Sequence, residues 1–307
     1  MLHRGLPTRA RIRRAVLAGL STVLLCGVLV ALASTGGAAS TWWHPGPSTL
    51  RWQWELDHAL NLTHAGDMGT NDSLPNRQPA PVPTVYDIDG IDNPAKTVDA
   101  LHLQGNKVIC YLEVGAAGNY YTAKAEGLAR SYYAQFKAAG VLGARLSDFS
   151  ERFLNISSPK TLSIVESMIR SQCATKGFDA VETDLDETYA GADGPTGFSL
   201  RRGDEVSYME ALADYMHSLG LAWIAKNPDD TGDRYATVIA PFADAVLSEE
   251  CHAYTTCSAL SAFVGTKAVF DAEYTTGTSS FCEYDLAHQI DGVRFTKSLD
   301  GTRHPCE

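Results

Sequence analysis

The chain has 307 residues, of which 45% are hydrophobic and 20% charged, and 25 Lys and Arg stand against 36 Asp and Glu, a net charge of −11. That balance excludes a disordered chain. The acidic surplus argues against a duplex nucleic-acid binder, which needs basic groups for phosphates, and suits a neutral or cationic partner.

The chain opens with five arginines (Arg4, Arg9, Arg11, Arg13, Arg14) and no acid, then an apolar run from Ala15 to Ala33, then small residues from Ser34 to Ser40. This order reads as a secretory signal over residues 1–39. The alternative is a retained membrane anchor, since 19 apolar residues can just span a bilayer. Arg13 and Arg14 are only a weak twin-arginine cue. Taking those five arginines from 25 leaves 20 basic residues against 36 acidic. The remaining segment, 40–307, approaches the roughly 250 residues of one barrel-sized domain. It keeps six cysteines, an even number that suits three disulfides in an exported chain. Cys251 and Cys257 are close enough to close a small loop, and Cys282 and Cys306 would tie down the C-terminal end. Cys110 and Cys173 then pair by elimination. None of the six sits in a C-x-x-C pattern, so zinc and thiol-redox chemistry are not indicated.

Residues 41–50 and 61–84, rich in Pro, Gly and polar residues, read as loops. Eight short apolar runs read as strands: 52–56, 84–88, 107–112, 178–182, 221–225, 243–247, 267–271 and 292–296. Helical patterns at 94–104, 120–139, 159–176, 203–219, 231–240, 257–264 and 280–290 separate most of them. Ser158 before Pro159 marks a helix start, and Gly105, Gly177 and Gly220 follow helix ends. Strand–helix alternation implies parallel pairing, and eight units predict an α/β fold, a single (β/α)8 TIM barrel. A doubly wound open sheet is the alternative, but no G-x-G-x-x-G follows the first strand.

Barrel chemistry sits where strands end. The expected ends carry Asp87 and Asp89; Tyr111 and Glu113; Glu182, Asp184, Asp186 and Glu187; Lys226 and Asn227; Glu249 and Glu250; Glu273 and Tyr274; and Lys297. A ring of carboxylates either binds a hard metal or cleaves glycosides, the latter needing two acids. The nine histidines form no H-E-x-x-H or H-x-H, and G-x-S-x-G is absent, so zinc and serine hydrolysis are disfavoured and no metal or cofactor is expected. Tyr86, Tyr111, Tyr120, Tyr121, Tyr189 and Tyr274 suit stacking on sugars. Trp52, Trp54 and Trp223 read as core.

These residues carry a resemblance. WQWEL at 52–56, VYDID at 85–89, VICYLEVG at 108–115, GFDAVETD at 177–184, GLAWIAKN at 220–227, SEEC at 248–251 and KAVFDAEY at 267–274 resemble, in order, the motifs of glycoside hydrolase family 114. The resemblance implies a (β/α)8 barrel with endo-α-1,4-polygalactosaminidase activity on partly deacetylated galactosamine polymers. Its catalytic acids fall on Asp184 and Glu249, and a retaining mechanism is implied. This chain departs from the family pattern at Leu185, where Asn is usual; at Glu187, where Asp is usual; at Glu113, where a small or hydroxyl residue is common; and at Glu250, where Gln is usual. The extra acids suit a more cationic polymer.

Asp184 is the candidate nucleophile, or the base that activates water. Glu249 is the candidate general acid, which requires a raised pKa, with Glu250 as the neighbouring like charge. Glu250 is also the rival for the role, because strand alternation lets only one of the two face the barrel axis. Lys226 is read as a partner of substrate or carboxylate. Asp87, Asp89, Tyr111, Glu113, Glu182, Glu250 and Tyr274 are binding candidates. The expected partner is a cationic or partly deacetylated amino-sugar polysaccharide met outside the cell by a monomer. The competing functions are a non-catalytic carbohydrate-binding barrel and a polysaccharide deacetylase.

Overall fold

The computed structural model describes residues 41–47, 50–118, 132–147, 150–191 and 194–307. The 1–39 segment, Tyr120 and Tyr121 lie outside the described residues. In chain order the elements are β1 (Trp52–Glu55), β2 (Val85–Asp89), α1 (Ala95–Leu103), β3 (Lys107–Glu113), β4 (Ala116–Ala117), α2 (Tyr132–Ala139), β5 (Leu142–Arg145) and β6 (Arg152–Leu154). They continue with α3 (Pro159–Met168), β7 (Ala180–Asp184), α4 (Arg202–Ser218), β8 (Ala222–Lys226), α5 (Tyr235–Ile239), β9 (Ala245–Glu249), α6 (Cys251–Tyr254), β10 (Ala268–Glu273), α7 (Thr278–His288), β11 (Asp291–Phe295) and β12 (Arg303–Pro305). The punctuation residues act locally as expected. Ser158 Oγ accepts from the Lys160 amide ahead of α3, with Pro159 at its first position. Gly177 turns out of the following helical turn at φ 88°.

Eight strands, β1, β2, β3, β7, β8, β9, β10 and β11, pair in parallel in that order and curl into a nearly closed (β/α)8 barrel. β12 adds antiparallel to β11. Strand alternation sends one set of side chains to the barrel axis. Trp52, Trp54, Phe270 and Phe295 fill that axis against the small Ala180, Ala222, Ala245 and Ala268. Trp52 lies 5.2 Å from the Phe270 ring and 4.9 Å from Phe295. The opposite set, with Tyr86, Val108, Val181, Trp223 and Val246, packs under the helices. Trp52 and Trp223 are thus core, as read.

Two features lie outside the sequence expectation. Among the described residues no ladder joins β11 to β1. The seam is bridged instead by side chains, with Trp52 Nε1 donating to the Asp291 carbonyl (2.7 Å) and the Arg303 guanidinium to the Trp52 carbonyl (2.9 Å), and at its top by the Leu56 amide donating to the Leu299 carbonyl (3.0 Å). A three-stranded antiparallel sheet, β4–β6–β5, stands on the rim after β3. Its strands of two to four residues are too short to show a hydrophobic period. The three disulfides are Cys110–Cys173, Cys251–Cys257 and Cys282–Cys306, with Cα separations of 5.7, 4.8 and 5.2 Å.

Candidate active site

The inward set of side chains continues past the barrel core to its C-terminal mouth. There Tyr111 and Glu113 of β3, Asp184 of β7, Lys226 of β8, Glu249 of β9 and Tyr274 after β10 line a cleft of about 390 Å³. Trp54 forms part of its lining as well as core, so it is both. The register sets Glu113 directly beside Asp184.

Lys226 sits at the centre. Its Nζ contacts Asp184 Oδ1 at 3.2 Å, Glu249 Oε2 at 3.0 Å and Glu182 Oε1 at 3.1 Å, and lies 4.8 Å above the Trp54 ring. Burial alone would discharge this lysine. The three carboxylates outweigh it and hold its pKa well above the ordinary value, so Lys226 is a fixed cation. Asp184 also accepts from Tyr111 Oη at 2.6 Å. Glu249 accepts from the Tyr274 hydroxyl and from Asn227 Nδ2 (3.0 Å), while its own amide donates to Asn227 Oδ1 (2.8 Å).

Burial pushes Glu249 up, but the Lys226 charge and the hydrogen bonds from Tyr274 and Asn227 together hold it below its usual range. The expectation of a raised pKa in the free cleft is therefore corrected. Glu250 does not supply a like charge at the axis. It turns away at φ 55°, accepts from Thr275 Oγ1 (2.9 Å) and lies 3.8 Å from Lys297. Between the two neighbours, Glu249 faces the axis.

Three further candidates do not line the cleft. Asp87 and Glu182 point inward one layer below it and are fully buried. Burial first, then the Glu182 charge, raises Asp87 well above the carboxylate range, so Asp87 is the protonated partner of the pair. Neither lines the cleft; Glu182 anchors Lys226 from below. Asp89 turns to cap the loop after β2, accepting from the Ile91 (2.6 Å) and Asp92 (2.7 Å) amides, and burial lifts it to about 6. Tyr86 and Tyr189 also leave the cleft, donating to the Met68 carbonyl and to Asp233. Sequence reading missed Glu151 and Leu146, which enter the cleft from the rim sheet, and Leu56 and Leu299, which border it. Among the described residues, the His and acid groupings compact enough to share a cation, such as His252 with Asp271 and Asp285, contain no cleft-lining residue.

Two carboxylates on separate strands, held by one ammonium at the mouth of a (β/α)8 barrel, define a glycoside hydrolase. The chain belongs to glycoside-hydrolase family GH114, whose family model matches residues 32–307. A crystal structure of Aspergillus fumigatus Ega3 in complex with galactosamine matches with a TM-score of 0.71 and 25% identity, covering 88% of this chain and all of that one. The glycoside hydrolase domain of PelA from Pseudomonas aeruginosa shares the fold, with a TM-score of 0.52 and 13% identity over 80% of this chain and 95% of that one. No curated protein sequence matches.

Proposed function

We propose that the enzyme hydrolyses α-1,4-linked galactosamine polymers, with Asp184 as nucleophile and Glu249 as acid and then base, retaining configuration. The observation that carries this is Lys226, which touches both carboxylates. Its contacts of 3.2 Å to Asp184 and 3.0 Å to Glu249 hold one oxygen of each carboxylate against the same ammonium, which supports the closely spaced pair, about 5–5.5 Å apart, of a retaining enzyme. Galactosamine in the Ega3 complex and the acidic cleft support the substrate.

In the first step an Asp184 oxygen bonds to the anomeric carbon as the glycosidic bond breaks, and the leaving oxygen takes a proton from Glu249. In the second, Glu249 takes a proton from water, whose oxygen displaces Asp184. Glu249 is ionised in the open cleft, so it gains its proton as sugar covers it. Burial is already the largest influence pushing it upward. We further propose that residues 1–39 direct export, which the three disulfides support; N-terminal sequencing of the extracellular protein tests it, and an intact Met1 in the membrane fraction would mean an anchor.

Incubation with defined galactosamine polymers, followed by mass spectrometry and reducing-end assay, should show shorter oligomers. Proton NMR should show the α-anomer forming first. Asp184→Asn and Glu249→Gln should each lower turnover by about 10²–10⁴, and Glu249→Gln should be spared in the first step on a substrate with a good leaving group. Acetate release without reducing ends would mean a deacetylase. Binding without either product would mean an adhesive barrel.

A further inference from the structure

The cleft is chemically two-sided. On the β3–β7 side, Glu113, Glu151 and Glu187 border it around Leu185; on the other side stand Tyr274, Lys297 and Leu299. The acidic side depends on the rim sheet. Glu151 immediately precedes β6, and β6 is held to the rim by Ala116 pairing with Phe153 and by the Leu154 amide donating to the Gly115 carbonyl (2.8 Å). Leu146, Phe153 and Ala116 pack on Leu185, the residue after Asp184. The rim sheet therefore fixes Glu151 relative to the nucleophile.

Glu151 is 8% exposed. Its Oε1 accepts from Ser150 Oγ at 3.3 Å, while Oε2 has no hydrogen-bond partner among the described residues. A buried carboxylate oxygen left without a donor is unfavourable, and a ligand that brings one offsets the cost. A protonated sugar amine brings three N–H donors and the matching charge. An acetamide brings one N–H and no charge, and its carbonyl oxygen would face carboxylates. The opposite side inverts this preference. Lys297 lies over the Tyr274 ring at 5.8 Å, with Glu250 3.8 Å away, and its ammonium repels a second amine while it can donate to an acetamide carbonyl.

We propose that Glu151, with Glu113 and Glu187, forms a subsite for the free amine of the sugar on one side of the scissile bond, and that the Lys297 side accepts an N-acetylated or uncharged sugar. The enzyme then cuts a mixed polymer at bonds chosen by acetylation on one side only. This rests on the reading of the cleft as a galactosamine-polymer site.

The test uses the whole protein on galactosamine oligomers of random partial acetylation, sequencing both new ends by mass spectrometry. One class of new end should be at least tenfold enriched in free amine, and the other should carry acetyl groups at the frequency of the starting oligomer. Glu151→Gln should reduce that enrichment at least fivefold. Glu113→Gln is the second variant should the first fail to fold, and it should act in the same direction. Random acetylation at both ends, or enrichment unchanged in the folded variants, overturns the proposal. Calorimetry with a galactosamine trimer and its fully N-acetylated counterpart separates this from the hydrolytic reading. A tenfold preference for the free-amine trimer without cleavage of any polymer would end the hydrolytic reading and leave the subsite standing. Equal binding of the two trimers, or binding of neither, overturns the subsite.

Discussion

Leu185, Asn227 and Glu250 have φ of 59°, 45° and 55°, and each directly follows a residue of the central ion cluster: Asp184, Lys226 and Glu249. The left-handed region costs a non-glycine residue about 1–3 kcal/mol unless its surroundings impose it. Here they do. The Asn227 amide still reaches the Leu247 carbonyl (2.9 Å) and the Glu250 amide the Ala272 carbonyl (2.8 Å), so each chain turns sharply while remaining in the ladder. The turn after β7 needs Gly115 as well, because a Cβ there would lie 1.8 Å from the Leu185 carbonyl oxygen. These turns leave Asp184 and Glu249 standing at the strand tops on one shared lysine, Lys226. Removing that charge as Lys226→Met lifts the restraint on Glu249, which then holds its proton to higher pH. The alkaline limb of kcat/KM against pH should move to higher pH while the maximum falls. An alkaline limb left in place, measured on polymer release, would mean that Lys226 does not set the Glu249 ionisation.

At the scale of elements, the strands and long helices carry the fold and the rim sheet decorates it. α4 shows how a helix is tied to the loop after β7. Its Glu205 accepts from Thr188 Oγ1 (2.8 Å) and the Tyr189 amide (3.1 Å), and burial pushes it up to about 8. A carboxyl raised on folding contributes stability that is complete below its unfolded pKa of ~4.3 and lost as pH rises through the folded value. Burial gives Asp291, at about 8, and Asp186, at about 7, the same sign. The melting temperature should therefore fall as pH rises from about 4 to about 8. Glu205→Gln keeps the acceptor oxygen and removes one titration. In calorimetric scans across that window its decline should be shallower than the wild type's, with the variant's relative gain largest at the alkaline end. An identical slope would show that Glu205 ionises alike in both states.

For the whole molecule, the weak point of the ring is the seam between β11 and β1. Arg303 on β12, 1% exposed, spans it: Nε pairs with Asp72 Oδ2 (2.7 Å), and its other nitrogens donate to the Trp52 and Pro81 carbonyls (2.9 Å each). The Cys282–Cys306 disulfide holds the same C-terminal strand to α7. Arg303→Met strips the charge from a buried pair and leaves those acceptors without donors. It should cost about 3–5 kcal/mol in urea unfolding; a loss below about 1 kcal/mol would show that the seam stands without it.

What the sequence determined by itself was whatever depends on neighbours along the chain. The alternating runs, Ser158 with Pro159, and the glycines at helix ends specify strands and helices through local sterics and hydrogen bonding, and their order leads to the parallel barrel. Cysteine spacing and elimination led to the three bridges, and the polar groups at strand ends named Asp184, Lys226, Glu249 and Tyr274 for the cleft. Only the tertiary structure decided which of those groups meet. Tyr111 reaches Asp184 across 73 positions and Lys226 reaches it across 42, distances set by how strands stagger around the ring. Asp87 and Glu182 share the inward face with the cleft residues but lie a layer lower, a depth that sequence periodicity does not encode. Glu151 came from strands too short to leave a pattern. The sign of the Glu249 shift was likewise undecided in the sequence, because it is a balance between burial and a lysine, a tyrosine and an asparagine brought together only by closing the barrel.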